Sequence, residues 1–98
     1  MIEIDKSRED STRIKILHNG TFSDIIGKEL ERKVMACIKE NHKIEINLND
    51  LSIIEIEGYP YLSNIIKQTF DSNCSLTFIN VNEEISEIID SFTFSSEG

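Results

Sequence analysis

The sequence predicts an α/β fold: a four- or five-stranded mixed, mostly parallel sheet with about three to four helices packed on it. Short stretches in which apolar residues take every second place recur along the chain, as half-buried strands require. Between them lie longer stretches with apolar residues three and four apart, the spacing of one helix face. Strands that alternate with helices imply parallel neighbours joined by right-handed crossovers. At 98 residues the chain reads as a single domain, 1–98, able to bury roughly 60–70% of its unfolded surface without disulfide or metal staples.

Ile2 and Ile4, alternating with Glu3 and Asp5, suggest a short first strand. Ser7 to Ser11 is a polar turn, and Ile14, Ile16 and Leu17 belong to a second strand. His18-Asn19-Gly20-Thr21 breaks that pattern with turn residues. The first helix is expected to start at Ser23 or Asp24, either of which caps a helix well. Phe22, Ile26, Leu30, Val34, Cys37 and Ile38 form its apolar stripe, and Asn41-His42 closes it. A strand with Ile44, Ile46 and Leu48 inward follows at once.

After a short polar turn the chain is apolar again at Ile53 and Ile54, then reaches Glu55-Ile56-Glu57-Gly58. Pro60 suits the first turn of a helix, where its missing N–H has no partner to lose. The segment therefore reads strand, loop, helix start, with Glu55 and Glu57 where a helix attracts negative charge. The second helix is expected from about Pro60 to Phe70, burying Leu62, Ile65, Ile66 and Phe70. Asp71-Ser72-Asn73 turns into a strand with Leu76, Phe78 and Ile79. Asn82 caps a third helix with Ile85, Ile88, Ile89 and Phe92 inward, and the tail after Phe94 is expected to fray. The resulting order is β-β-α-β-α-β-α.

Composition narrows the function. The net charge is −8, and it is uneven: residues 1–43 hold nine bases and eight acids, whereas residues 44–98 hold Lys67 against ten acids. Nucleic-acid binding, which draws on phosphate neutralisation, does not fit that second half, and a basic protein partner would be steered to it. The excess acid also serves simple solubility. No apolar run approaches a membrane span of about 20 residues, and the N-terminus lacks the basic-then-apolar form of a signal peptide. Cys37 and Cys74 are too few and too far apart for a disulfide framework or zinc site, so a reduced cytoplasmic protein is expected.

The four glycines are scattered, with no phosphate-binding motif. His18 and His42 lie at element ends without metal-ligand spacing, and are read as solvated turn histidines. Both cysteines are read as small buried side chains. Glu55 and Glu57 need no catalytic explanation at a helix start. No enzyme and no cofactor are expected.

The strand-loop-helix junction resembles the STAS domain, the fold of anti-sigma-factor antagonists and of the C-terminal domain of sulphate transporters. Members carry a segment like L-D-L-S-x-V-x-F-I-D-S-S-G-L. Here the chain reads I-N-L-N-D-L-S-I-I-E-I-E-G-Y from Ile46 to Tyr59. The apolar beat matches at Ile46, Leu48, Leu51, Ile53 and Ile54, and the glycine at Gly58. Upstream, Asn19 to Asp24 looks like the family's glycine-containing turn before its first helix, so Ser23 and Asp24 join the candidate site. The predicted order of elements matches the whole family domain.

The departures fall where the family's chemistry lies. Glu55 replaces the family's aspartate, Ile56 its first serine, and Glu57 the serine that a partner kinase phosphorylates in the antagonists. Asn47 and Asn49 replace an earlier aspartate and serine, and asparagine is expected to keep that loop. The resemblance implies an interaction module whose partner is an anti-sigma, GHKL-type kinase or a PP2C-type phosphatase. It docks through Glu55, Ile56, Glu57 and the start of the second helix. Two readings of Glu57 stand together: a built-in mimic of the phosphorylated state, and an ordinary helix-start acid worth about 0.3–1 kcal/mol. Ile56 is either a core residue, as an isolated isoleucine tends to be, or a docking contact. Ser52 and Ser63 lie nearby but not at the matched position. The alternative is a small cytoplasmic STAS subunit bracing an ABC-type phospholipid transporter, which needs no phosphorylation. Nucleotide or small-ligand binding at the two helix N-termini ranks last, because Glu55 and Glu57 would repel phosphate.

Overall fold

Alternation of isoleucine with charged residues builds the main sheet. In the computed structural model, which describes residues 2–6, 8–17 and 20–95 (93–95 as backbone only), β1 (Ile2–Asp5), β2 (Ser11–Ile16), β4 (Lys43–Asn47) and β6 (Ser75–Ile79) form one four-stranded sheet in the order β1-β2-β4-β6. β1 runs antiparallel to β2; β2, β4 and β6 are mutually parallel. The registers set Ile4 beside Ile14, Ile14 beside Ile46, and Ile46 beside Phe78, so one face is apolar throughout. The other carries Arg13 beside Glu45, joined by an ion pair at 3.4 Å between Arg13 Nε and Glu45 Oε1. A sheet with one dry and one wet face shows this alternation cleanly.

The helices cover the apolar face: α1 (Asp24–Met35), α2 (Tyr59–Asp71) and α3 (Glu83–Ser95). Leu30, Val34, Leu62, Ile65 and Ile85 are fully buried against Ile14, Ile16, Ile44 and Ile46. α1 lies on α2 at Gly27, where a Cβ would come within 3.0 Å of Tyr61 Cβ; the hydrogen bond from Asn64 Nδ2 to Glu31 Oε2 (2.9 Å) clips the same two helices. The mixed, mostly parallel sheet and its three helices agree with the fold class the sequence predicts.

A second sheet departs from the predicted order. β3 (Gly20–Phe22) and β5 (Leu51–Ile54) pair in parallel as a two-stranded ribbon, and neither has the length to show a period of its own. Four smaller expectations are corrected. α1 stops at Met35 rather than running to Asn41, because the Cys37 N–H tightens onto Val34 O (2.9 Å) and the chain leaves through Asn41 at φ 64°. Leu17 lies outside β2 and is exposed. Phe70 is 77% exposed and Thr69 takes the inward position, its hydroxyl bonding the carbonyls of Ile65 and Ile66. His42 is buried rather than solvated, its Nε2 2.8 Å from Thr12 Oγ1, since the turn carrying it lies under the start of β2. Cys37 and Cys74 are buried free thiols, as expected. His18, Asn19, Ser7 and the tail end at 96–98 lie outside the described residues.

Candidate functional site

The candidate site is assembled at the C-terminal end of β4, where the chain makes the small ribbon and starts α1 and α2. Asn47 begins it. Its Oδ1 accepts the Asn49 N–H (2.9 Å) and Asn80 Nδ2 (3.2 Å), so one side chain holds the β4–β5 loop and ties it to the end of β6. Leu48 N–H donates to Ile79 O (3.1 Å), and Asn82 Nδ2 to Ser52 O (3.0 Å), closing the loop against the same strand end. Asparagine thus supports the turn as expected. Gly20 N–H, at φ +104°, donates to Asp50 O (2.9 Å) and starts the ribbon.

Phe22 is the pivot. It pairs with Ile54, and its carbonyl accepts the Glu55 N–H at 3.0 Å. The chain then tightens into a single 3-10 turn, Ile56–Gly58, which runs directly into α2. Gly58 has ordinary helical angles (φ −85°), so backbone freedom does not explain it. Proximity does: a Cβ there would stand 2.7 Å from Phe22 Cδ1 and 3.0 Å from Phe22 O. The matched glycine is therefore a packing requirement. Gly27, on the other flank, would bring a Cβ to 3.1 Å from Phe22 Cε1.

Ser23 caps α1 as predicted, accepting the Ile26 N–H at a long 3.4 Å, and Asp24 occupies the first turn. α2 has no side-chain cap; Pro60 lies in its first turn, and Glu57 precedes the helix inside the 3-10 turn. All six candidate residues thus come together through the ribbon: Ser23 and Asp24 follow β3, and Glu55, Ile56, Glu57 and Gly58 follow its partner β5.

The exposure pattern decides what the site offers. Ile56 is 76% exposed, which overturns the core reading of that residue. Glu55, Glu57 and Asp24 are also exposed. Ile25, which the sequence pattern did not single out, is 75% exposed in the first turn of α1, a helix that packs against the 3-10 turn. Its position off the Phe22–Ile26–Leu30 stripe was the available signal. The site accordingly offers two large exposed apolar side chains and three exposed carboxylates. Among the described residues, no three His, Cys, Asp or Glu side chains cluster to hold a metal ion, and no helix is long and apolar enough to cross a membrane.

No family model matches the chain, and no curated protein does. Solved structures do. The Bacillus cell fate determinant SpoIIAA in its phosphorylated form superposes with a TM-score of 0.67 at 14% identity, over 97% of this chain and 83% of that one. The unphosphorylated form of SpoIIAA, an anti-sigma factor antagonist, gives 0.66 at 14% identity, over 98% and 81%. Part of the murine anion transporter Slc26a9 superposes at 0.63 with 12% identity, over 84% of this chain and 14% of that one. A crystal structure of Mglu reaches 0.70 at 7% identity, and there this chain covers 20% of the longer protein. At such identities the likeness is one of fold: the chain has the STAS fold, that of SpoIIAA.

Proposed function

We propose that this STAS-fold chain is a non-enzymatic protein-interaction module of a partner-switching pathway, acting as an anti-sigma-factor antagonist does. Glu57 holds a fixed charge where the family carries its phosphorylatable serine. The observation that carries the proposal is the outward Ile56, 76% exposed between two acids at the matched position. A large apolar side chain held in water at the matched turn, with a second one exposed on α1, is offered here as a contact for a partner's surface. Covering Ile56 and Ile25 is worth roughly 1.5–3 kcal/mol each, whereas Asp24, Glu55 and Glu57 orient the encounter and select a basic partner.

Glu57 supplies about one negative charge against about −1.5 to −2 for phosphoserine, and it lacks the three strong acceptor oxygens. In the proposed reading that charge suffices to hold the module in the binding mode of the phosphorylated state, with a GHKL-type kinase or PP2C-type phosphatase as the partner class. The proposed setting is the cytoplasm, where the buried thiols Cys37 and Cys74 stay reduced.

The test is affinity capture from native lysate on three baits: wild type, Glu57→Ser and Ile56→Ser. A kinase or phosphatase of those classes on the wild type, exchanged on Glu57→Ser and lost from Ile56→Ser, is the expected result. Equal capture by all three baits would sink the proposal. The superposition on part of the anion transporter Slc26a9 supports a transport setting in general, and the second reading is a STAS subunit bracing an ABC-type transporter. In that case a transporter ATPase is retained equally by wild type and Glu57→Ser.

A further inference from the structure

At the end of the main sheet opposite the ribbon lies a cavity that the docking surface does not use. It measures about 300 Å3 and sits where the β1–β2 turn, the end of α1 and the approach to β4 meet. Lys6, Arg8, Glu9, Thr12, Lys39 and His42 line it. His42 is its fixed point. The backbone N–H donates to Lys39 O (3.1 Å) and the carbonyl accepts the Ser75 N–H (2.9 Å), so the residue is held on both sides. It is 7% exposed, with Nε2 2.8 Å from Thr12 Oγ1. Nδ1 makes no hydrogen bond among the described residues. Since no buried side-chain nitrogen or oxygen among those residues goes unsatisfied, Nδ1 opens onto the cavity rather than into the core.

Around that nitrogen the sign of the molecule reverses. The chain carries −8 overall, yet three cations, Lys6, Arg8 and Lys39, line the cavity against the carboxylate of Glu9, a local balance of +2. The neighbouring Asp10 and Glu40 do not line it. None of the three cations forms an ion pair among the described residues. The C-terminal end of α1 disfavours an anion here, and Arg32 and Lys33 in its last turn offset that end.

We propose that this cavity binds a phosphoryl group carried by a small molecule. The charges match: a phosphomonoester bears about −1.5 to −2 at neutral pH. Arg8 offers the planar fork that pairs with two phosphate oxygens, and Lys6 and Lys39 act as point charges at the mouth. His42 sets the depth. With the Thr12 hydroxyl donating to Nε2, the neutral ring carries its proton on Nδ1 and donates it to a further oxygen. The volume lies at the low end for small-molecule sites and equals roughly ten waters, more than a bare phosphate fills. Ala36 and Cys37 line the remainder, which suits a short carbon body.

NMR titration of the isotope-labelled full chain at neutral pH tests this. Glycerol phosphate, inorganic phosphate and glycerol are separate arms, with sodium chloride at matched ionic strength as the control. The expected result is a saturable shift of the His42 Nδ1 signal and of the Arg8 and Lys39 amides with either phosphate and none with glycerol. Tighter binding of the ester identifies a phosphomonoester as the source; equal or tighter binding of inorganic phosphate identifies free phosphate. Arg8→Gln with Lys39→Gln, both at exposed positions, raises the dissociation constant at least about tenfold. Glu9→Gln lowers it up to about fivefold, the scale of one exposed charge pair. A His42 signal that moves no further than in sodium chloride overturns the proposal. So does a dissociation constant indifferent to the double substitution.

Discussion

In the four-stranded sheet, Ile14, Ile16, Ile44 and Ile46 are each at most 1% exposed, and every one is placed by alternation within its own strand. In the β3–β5 ribbon the strands span three and four residues, and their positions are set by other parts of the chain: Phe22 under Gly58, Asn47 holding the loop, Asn82 reaching Ser52. One sheet is specified by local pattern, the other by tertiary contact. The region that carries the candidate site is the one with least claim on a structure of its own.

That contrast can be broken from either side. Ile46→Ala removes a fully buried side chain at the centre of the main sheet and should cost about 2–5 kcal/mol, read as a lower urea midpoint with the slope retained. Gly58→Ala adds a single carbon that meets Phe22 at 2.7 Å. Overpacking of this kind costs about 1–3 kcal/mol. Chemical shifts should move in the ribbon and the first turns of α1 and α2 and stay fixed in β2 and β4. Shifts spread evenly over both sheets would show that the ribbon is not a separate unit. Asn47→Ala deletes the acceptor shared by Asn49 and Asn80 on an exposed loop, and about 1 kcal/mol or less is expected. Its clearer sign is faster amide exchange at Asn49 and Leu51 with the main sheet unaffected.

The same division explains what the sequence revealed. Ile2/Ile4, Ile44/Ile46 and the stripes of the three helices each repeat often enough to declare a period, and they gave the main sheet and its layers. β3 and β5 repeat nothing, so the ribbon went unseen even though its residues were recognised as a junction. The six candidate residues were legible through the resemblance of Ile46–Tyr59 and of the turn before α1. Ile25 was not, because its place off the Phe22–Ile26–Leu30 stripe marks it as exposed without marking it as a contact. His42 was misread for a related reason: its partner Thr12 is thirty residues away, and a turn histidine looks solvated until that strand is laid over it. Phe70 erred in the opposite direction. Helical spacing permits it an inward place, but the smaller Thr69 satisfies its own hydroxyl on the preceding turn and takes that place.

The Phe22 ring is wedged between Gly27 of α1 and Gly58 of the 3-10 turn, and its carbonyl grips the Glu55 amide. Ile25 and Ile56 are carried on those two flanks, so neither can drift from the other without prising an aromatic ring from the core. A partner docking as proposed would therefore meet two contacts whose positions are already set by the fold. The entropy of arranging the two contacts is lost when the chain folds rather than when the complex forms, which favours a binding step limited by approach rather than by rearrangement.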